Sequence, residues 1–469
     1  MAERLLDKRW PWLVAAAALI FLFLYSIVQL PPEVAADPRP TGSADDIARL
    51  KDRTDVNLLF IVIDTLRAEH LGSYGYKRDT SPTLDRLAAT GARFARHLSQ
   101  SSWTKASMAS LWTGLNPPRT GITRFDHVLP EEARMPAEIL RDAGFRTSGI
   151  FRNGWVAPTF GFDQGFEIYT RPTPKPRAPS VRVHNPTLGR GGTDEDVVAA
   201  ALEFLRIHGE ERWFLYLHFM DVHEYTYDQE SALFGTKYAD VYDNSVRFTD
   251  GTLSVLLEYL SAWGLRDNTL IAIASDHGEA FRERGFEGHA RRVYRETTEV
   301  PFVVAFPFRL EPGVVIETRT RNVDVWPTLL DLVGVTPAGD GDGRSLVPDI
   351  LASARGEAPP AADRTGVAHL DQHWGMRNQR AAFVVAVVDG SYRYVRTDQV
   401  GPPLEQLFDA DSDPREMHDR SKQEPETLER LRGIADSSVE VSPAWGAAPT
   451  RELDELELNQ LRALGYAVP

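Results

Sequence analysis

The run NLLFIVID (57–64) decides the fold. It is apolar almost throughout and breaks off at a carboxylate, the pattern of a strand buried on both faces of a parallel sheet. The same texture returns in WFLYLHF (213–219) and TLIAIAS (269–275), with helix-like stretches over Thr83–Thr90 and Asp243–Trp263. Strands alternating with helices specify an α/β sheet with helices on both faces.

Beyond about residue 340 the texture changes. AAFVVAVV (381–388), a turn at Asp389-Gly390 and SYRYVRT (391–397) read as an antiparallel hairpin, followed by a polar helix around Glu424–Ile434. The chain therefore divides into an anchor over 1–30, a Pro- and Asp-rich linker over 31–54, a main domain over 55–340 and a smaller α+β subdomain over 341–469. One long irregular stretch, Arg171 to Arg190, carries five prolines and several cations and reads as a lid or a solvated insertion. No internal repeat is present.

At the other end, WLVAAAALIFLFLYSIVQL (12–30) has no charge, and its 19 residues approach the roughly 20 that span a bilayer as a helix. Arg4, Lys8 and Arg9 precede it, so the positive-inside rule keeps the N-terminus cytoplasmic and places the remainder outside. The alternative is secretion after signal cleavage near Val34-Ala35-Ala36. A net charge of -15 without a basic run excludes a nucleic-acid partner. The absence of Cys excludes disulfides and a thiolate nucleophile.

In open α/β sheets ligands bind beyond the carboxyl ends of the strands. Two buried strands end there in charged groups, Asp64 after FIVI and Asp276-His277-Gly278 after IAIAS. Each Asp alone reads as a cap or turn residue; together with the imidazole they form a metal-site candidate. Between them, SQSSWTKASMASLWTG (99–114) leads into a helix at about Thr104. A hydroxyl there faces free N–H groups and the positive end of the dipole, which attract an anionic ester. Thr104 is thus a candidate nucleophile as well as a plain N-cap. Lys105 beside it is one of only seven lysines among 52 basic residues, which adds it to the catalytic candidates.

Taken together, the segments 61–94, WTKASMASLWTGLNPPRTG (103–121), HFMDVHEYTY (218–227), 265–289, NVDVWPTLLDLVGV (322–335), LFDADSDPRE (407–416) and LRALGY (461–466) resemble the sulfatase-like branch of the alkaline phosphatase superfamily. The resemblance implies an α/β/α sandwich with a smaller C-terminal α+β subdomain and a metal-dependent ester hydrolase or phosphotransferase. Sulfatases carry CxPSR, whose Cys or Ser becomes formylglycine; the matching positions here read Thr104, Lys105, Ala106, Ser107 and Met108, so no formylglycine is expected. Their paired Asp is Ile63-Asp64 here, and their Asp-Asn is Asp276-His277.

The set Asp64, Thr104, Asp276 and His277 is instead similar to the metal site of membrane-anchored phosphoethanolamine and phosphoglycerol transferases. Those residues imply one divalent metal, zinc or manganese rather than calcium. The resemblance adds His223 as a catalytic proton donor and His289, His218 and Arg67 as substrate-binding residues. Glu69, His70, Asp250 and Asp324 read as caps and scaffold. The expected substrate is an anionic phosphate ester, lipid- or glycan-linked. A sulfuric ester hydrolase is the second reading, and a silent domain that binds envelope glycans or a protein is the third.

Overall fold

Alternation along each strand explains why the apolar runs have no polar gaps. In strand β1 (Asn57–Ile63), Leu58, Phe60 and Val62 enter one core while Leu59, Ile61 and Ile63 enter another. The two neighbouring strands, β5 (Trp213–Phe219) and β6 (Thr269–Ala274), divide in the same way. The computed structural model describes residues 39–174, 192–360, 364–376 and 379–463, with Val14 and Asp37 besides.

The main sheet has eight strands. The others are β2 (Ala92–Phe94), β3 (Arg146–Phe151), β4 (Ile168–Thr170), β7 (Phe302–Ala305) and β8 (Val314–Ile316), in the order β8-β2-β7-β6-β1-β5-β3-β4. Every neighbouring pair is parallel except the two made by β7, which runs against β6 and β2. The sheet is therefore mixed, where the sequence pointed to a parallel one. β7 is too short an apolar run for periodicity to give its direction.

Helices α1 (Pro82–Ala89), α3 (Asp194–His208) and α4 (Tyr238–Ala262) supply the core containing Leu59 and Ile61. Helices α2 (Thr104–Thr113), α5 (Val325–Leu332) and α6 (Val347–Arg355) supply the core containing Phe60, where Trp112 and Trp326 stack at 5.0 Å. The α/β/α sandwich expected from the sequence is present.

The expected hairpin is also present, as the middle of a four-stranded antiparallel meander: β9 (Gly366–Asp371), β10 (Phe383–Asp389), β11 (Tyr392–Thr397) and β12 (Leu404–Asp409). Gly390 turns the hairpin at φ 59°, a conformation glycine adopts without strain. Helix α7 (Pro425–Val439) covers one face of this sheet through Leu431 and Ala435.

The spacer expected over 31–54 ends earlier than its composition suggests. Ser43 and Asp46 form a capping box for a short helix, Ala44–Arg49, and Ile47 and Leu50 are buried in the main core. Among the described residues no helix is long and apolar enough to cross a membrane. The span expected at 12–30 lies outside the described residues apart from Val14, and so do residues 175–190 of the irregular loop.

The scaffold acids behave as read. Asp250 on α4 accepts the Thr83 and Leu84 amides at 2.9 Å each, capping α1 from another helix. Burial nonetheless pushes its carboxyl up to about 6 from 3.8. A carboxyl with a raised folded-state pKa is ionised first in the unfolded chain, so its contribution to stability falls as pH rises from about 4 to about 6. We expect Asp250→Asn, whatever its constant cost, to gain on the parent by up to about 3 kcal/mol between pH 4 and pH 7. Parallel urea melts at both pH values check this; a pH-independent difference would contradict it.

Candidate active site

Strand register assembles the site. β1 and β6 pair Val62 with Ala274, so Asp64 and Asp276 each stand two residues beyond a matched pair on adjacent strands. β5 brings His218 opposite Val62 on the other side. The cluster thus lies beyond the carboxyl ends of the central strands, where an α/β sheet leaves its crevice. Helix α2 delivers Thr104 as its first residue, and Ser107, one turn on, donates to the Asp276 carbonyl at 2.5 Å and fixes the helix to that strand end.

Asp64, Asp276 and His277 are completely buried, and each turns one ligand atom toward the others. His277 Nε2 lies 3.3 Å from Asp276 Oδ2, 3.9 Å from Asp64 Oδ1 and 3.1 Å from Thr104 Oγ1. Its Nδ1 faces the Gly278 carbonyl at 3.0 Å. A carbonyl only accepts, so Nδ1 carries the proton and the Nε2 lone pair is turned inward. Gly278 is needed because a Cβ there would meet the Glu296 carbonyl oxygen at 2.3 Å.

The residues fit a divalent cation. Asp64 Oδ1 and Asp276 Oδ2 are buried without a hydrogen-bond partner, a costly condition that a cation between them relieves. Electrostatics agree. Burial, reinforced by the charge of Asp64, pushes Asp276 up to about 7. Burial opposes ionisation of Asp64 too, but His223, His218 and His277 outweigh it and hold that carboxyl below its usual range. Two carboxylates and an imidazole, with the Thr104 hydroxyl beside them, offer a divalent cation its ligands.

Around this core stand groups the sequence did not single out. Asn153, just past β3, donates to Asp64 Oδ2 at 2.7 Å. Arg152 beside it joins the buried Asp194 and Asp221 and so ties down the loop carrying His223. Asn322 donates to the Ser275 carbonyl at 3.0 Å. Glu279, buried two residues after His277, accepts from His289 Nδ1 at 3.3 Å. Only Glu279 had a sequence signal, as the acid closing DHGE.

His289 and His223 stand beside the cluster. The His289 ring lies 4.6 Å from that of His277 and 4.9 Å from that of His223. Burial alone would lower the pKa of His289, yet Glu279 outweighs it and raises it. Glu279 thus favours the protonated form of the imidazole beside the cluster. Burial lowers that of His223.

Three assignments are corrected. His218 does not face a substrate: it is fully buried, accepts from the Tyr216 hydroxyl at 2.6 Å and donates to Asp64 Oδ2 at 3.1 Å, so it positions a ligand. Arg67 is held by Glu69, by Glu283 at 2.6 Å and by the Glu279 carbonyl at 2.8 Å, and acts as a brace. Lys105 points away from Thr104. Its Nζ donates to the Phe125 carbonyl at 2.7 Å and sits 3.6 Å over the Phe160 ring. Burial there drives its pKa well below the usual lysine range.

Outer groups that orient ligands carry a measurable share of metal affinity, typically 10–100-fold. Asn153→Ala should weaken Mn²⁺ or Zn²⁺ binding by about that factor while leaving the fold intact. Competition with a fluorescent chelator reads this, and unchanged affinity would remove Asn153 from the site.

An eight-stranded α/β sandwich with an Asp, Asp, His cluster at its central strand ends defines the class: an ester hydrolase of the alkaline phosphatase superfamily. The family profile described as Sulfatase matches residues 56–335, more than half of the chain, and the protein belongs to the sulfatase family. A second profile, N-sulphoglucosamine sulphohydrolase, C-terminal, matches residues 283–432.

The N-acetylgalactosamine-6-O-sulfatase of Bacteroides thetaiotaomicron is 23% identical over 498 residues, spanning 81% of this chain and 92% of the relative. Human N-acetylgalactosamine-6-sulfatase is 26% identical over 344 residues, 63% of this chain and 66% of the relative. In fold, the chain is similar to a putative sulfatase from Bacteroides thetaiotaomicron (TM-score 0.68, 19% identity, 82% of this chain and 92% of that one). It is also similar to the phosphonate monoester hydrolase of Agrobacterium radiobacter (TM-score 0.65, 19% identity, 81% and 94%).

Proposed function

We propose that the protein is a membrane-anchored, extracytoplasmic hydrolase or transferase of phosphate esters that uses Thr104 as its nucleophile. The observation carrying this reading is the Thr104 hydroxyl at the head of α2, 3.1 Å from the inward-facing Nε2 of His277, at the position where sulfatases carry formylglycine. Threonine cannot be converted to that aldehyde hydrate, yet an alkoxide at this point faces the free amides of a helix N-terminus.

A divalent cation held by Asp64, Asp276, His277 and Thr104 Oγ1 would lower the pKa of the hydroxyl and offset charge on the ester oxygens. Thr104 Oγ1 attacks phosphorus in line, forming the Thr–O–P bond as the bond to the leaving oxygen breaks. His223 supplies the proton to that oxygen, and His289, whose protonated form Glu279 favours, attracts the non-bridging oxygens. Water or an acceptor alcohol then gives its proton to His223 and attacks phosphorus, and the Thr–O–P bond breaks to release the Thr104 oxygen. The single apolar run at 12–30 supports anchoring and favours hydrolysis slightly, since lipid-using transferases often carry several spans. The sulfatase names of the relatives favour a second reading, hydrolysis of sulfate esters by the same groups.

The test is turnover of aryl phosphate mono- and diesters and aryl sulfates by the purified full-length chain, with bound metal measured in parallel. Phosphate ester turnover that requires Zn²⁺ or Mn²⁺ supports the first reading. Turnover of sulfate esters alone moves the assignment to the second, and absence of both metal and turnover leaves a binding domain.

A further inference from the structure

Arg152 follows β3 at the carboxyl end of the sheet and is buried. Acceptors from three places in the sequence meet its guanidinium. Nη1 donates to Asp194 Oδ1 at 2.8 Å and to Asp221 Oδ1 at 2.7 Å, while Nη2 donates to the Gly192 carbonyl at 2.7 Å and to Glu224. Asp194 and Asp221 also hold each other's backbone: the Asp221 amide donates to Asp194 Oδ2 at 2.9 Å, and the Asp194 amide to Asp221 Oδ2 at 2.8 Å. The Met220 amide donates to Asp194 Oδ1 at 2.8 Å. A planar fork of fixed donors joins acceptors on several sides at once, which the single ammonium of lysine does not.

Asp221 and Glu224 bracket His223 in the sequence, so one guanidinium holds the chain on both sides of that imidazole. Val222 is buried in the core, and the Glu224 amide closes the turn on the Met220 carbonyl at 2.9 Å. From this turn the His223 ring comes within 4.9 Å of the His289 ring. The residue after Arg152 is Asn153, which donates to Asp64 Oδ2 at 2.7 Å. Two consecutive residues at one strand end therefore hold a metal-ligand candidate and the segment of the acid, and set the spacing between them.

We infer that Arg152 is a positioning residue for proton delivery, a two-sided clamp that keeps His223 within reach of the leaving oxygen. The inference rests on the ester-cleaving reading of the site and adds to it the group that places the acid. As the Thr104 oxygen bonds to phosphorus and the bond to the leaving oxygen breaks, the proton passes from His223 to that oxygen. Such a transfer needs hydrogen-bond reach, about 2.6–3.2 Å, which a slackened turn forfeits. Removing the guanidinium leaves the buried Asp194 and Asp221 carboxylates facing each other without a cation, and the segment 220–224 moves to separate or hydrate them.

The experiment measures kcat/KM, which reports the first displacement, for full-length chains loaded with Mn²⁺. Phenyl phosphate releases a basic phenoxide that needs the proton; 4-nitrophenyl phosphate releases a weakly basic one that does not. Arg152→Gln should lower kcat/KM about 100-fold on phenyl phosphate and less than about fivefold on 4-nitrophenyl phosphate, the same pattern as His223→Gln. Added to His223→Gln, it should cause no further loss on phenyl phosphate, because the two act as one unit. Equal losses on both esters make Arg152 a packing residue and overturn the inference, as does no change. Full activity in Arg152→Lys, which keeps the charge without the fork, also overturns it. If Arg152→Gln does not fold, Glu224→Gln removes one side of the clamp and should cost about tenfold on phenyl phosphate alone; a loss without that selectivity overturns the inference. If wild type cleaves neither ester, or His223→Gln lacks the selectivity, the reading of the site has failed, and hydrogen exchange decides on the clamp separately. Faster exchange of the amides of 220–226 in Arg152→Lys supports it, and unchanged exchange overturns it.

Discussion

Thr104→Ala should lower kcat/KM for any ester the protein cleaves by on the order of 10⁴ to 10⁶, the usual size of a lost nucleophile. The expectation follows from geometry. Thr104 Oγ1 is the hydroxyl recorded within hydrogen-bond reach of His277 Nε2, and Ser107, the next hydroxyl along α2, donates instead to the Asp276 carbonyl. Metal binding should survive, because Asp64, Asp276 and His277 remain, and so should stability, because one buried methyl and one hydroxyl are a small loss.

Thr104→Ser separates the chemistry from the packing: it keeps the oxygen and should retain most of the activity. Acid quenching during turnover, followed by mass spectrometry, should find the transferred group on residue 104 in the parent and in the serine variant, and nowhere in the alanine variant. Full activity in Thr104→Ala would mean that water attacks directly and that this threonine is only a cap.

Much of the framework was readable because burial on both faces leaves a strand no choice of residue type. Phe60 and Ile61 enter opposite cores, so the run containing them must be apolar throughout, and the acid that ends it marks the crevice. Asp64, Asp276 and His277 were legible for that reason. The misread residues share one cause, that sequence adjacency is a poor guide to direction. Lys105 follows Thr104 on a helix, where successive side chains diverge by about 100°, and it ends among Trp155 and Phe160. Arg67 depends on Glu283, 216 residues away. Asn153 follows the strand RTSGIF, which is too polar to stand out.

Removing a ligand should separate two roles that Asp276 plays. With metal present it is one of four ligands, and its loss should abolish measurable Zn²⁺ or Mn²⁺ binding and with it turnover. Saturating metal at a thousandfold its Kd stabilises the folded state by about 4 kcal/mol, so a chelator should lower the Tm of the parent and leave Asp276→Asn unmoved. Without metal the order reverses. The Asp276 carboxyl is then buried facing Asp64, and its pKa is raised from 3.8 to about 7. Its proton is kept in the fold and lost on unfolding, so the metal-free parent loses stability as pH rises from about 4 through 7. Asp276→Asn, having nothing to ionise, should not. At pH 8 the metal-free variant should therefore melt above the metal-free parent, and at pH 4 the advantage should disappear. A metal-free parent that is the more stable at both pH values would show that the two carboxylates do not oppose each other, and the case for a cation between them would lose its electrostatic basis.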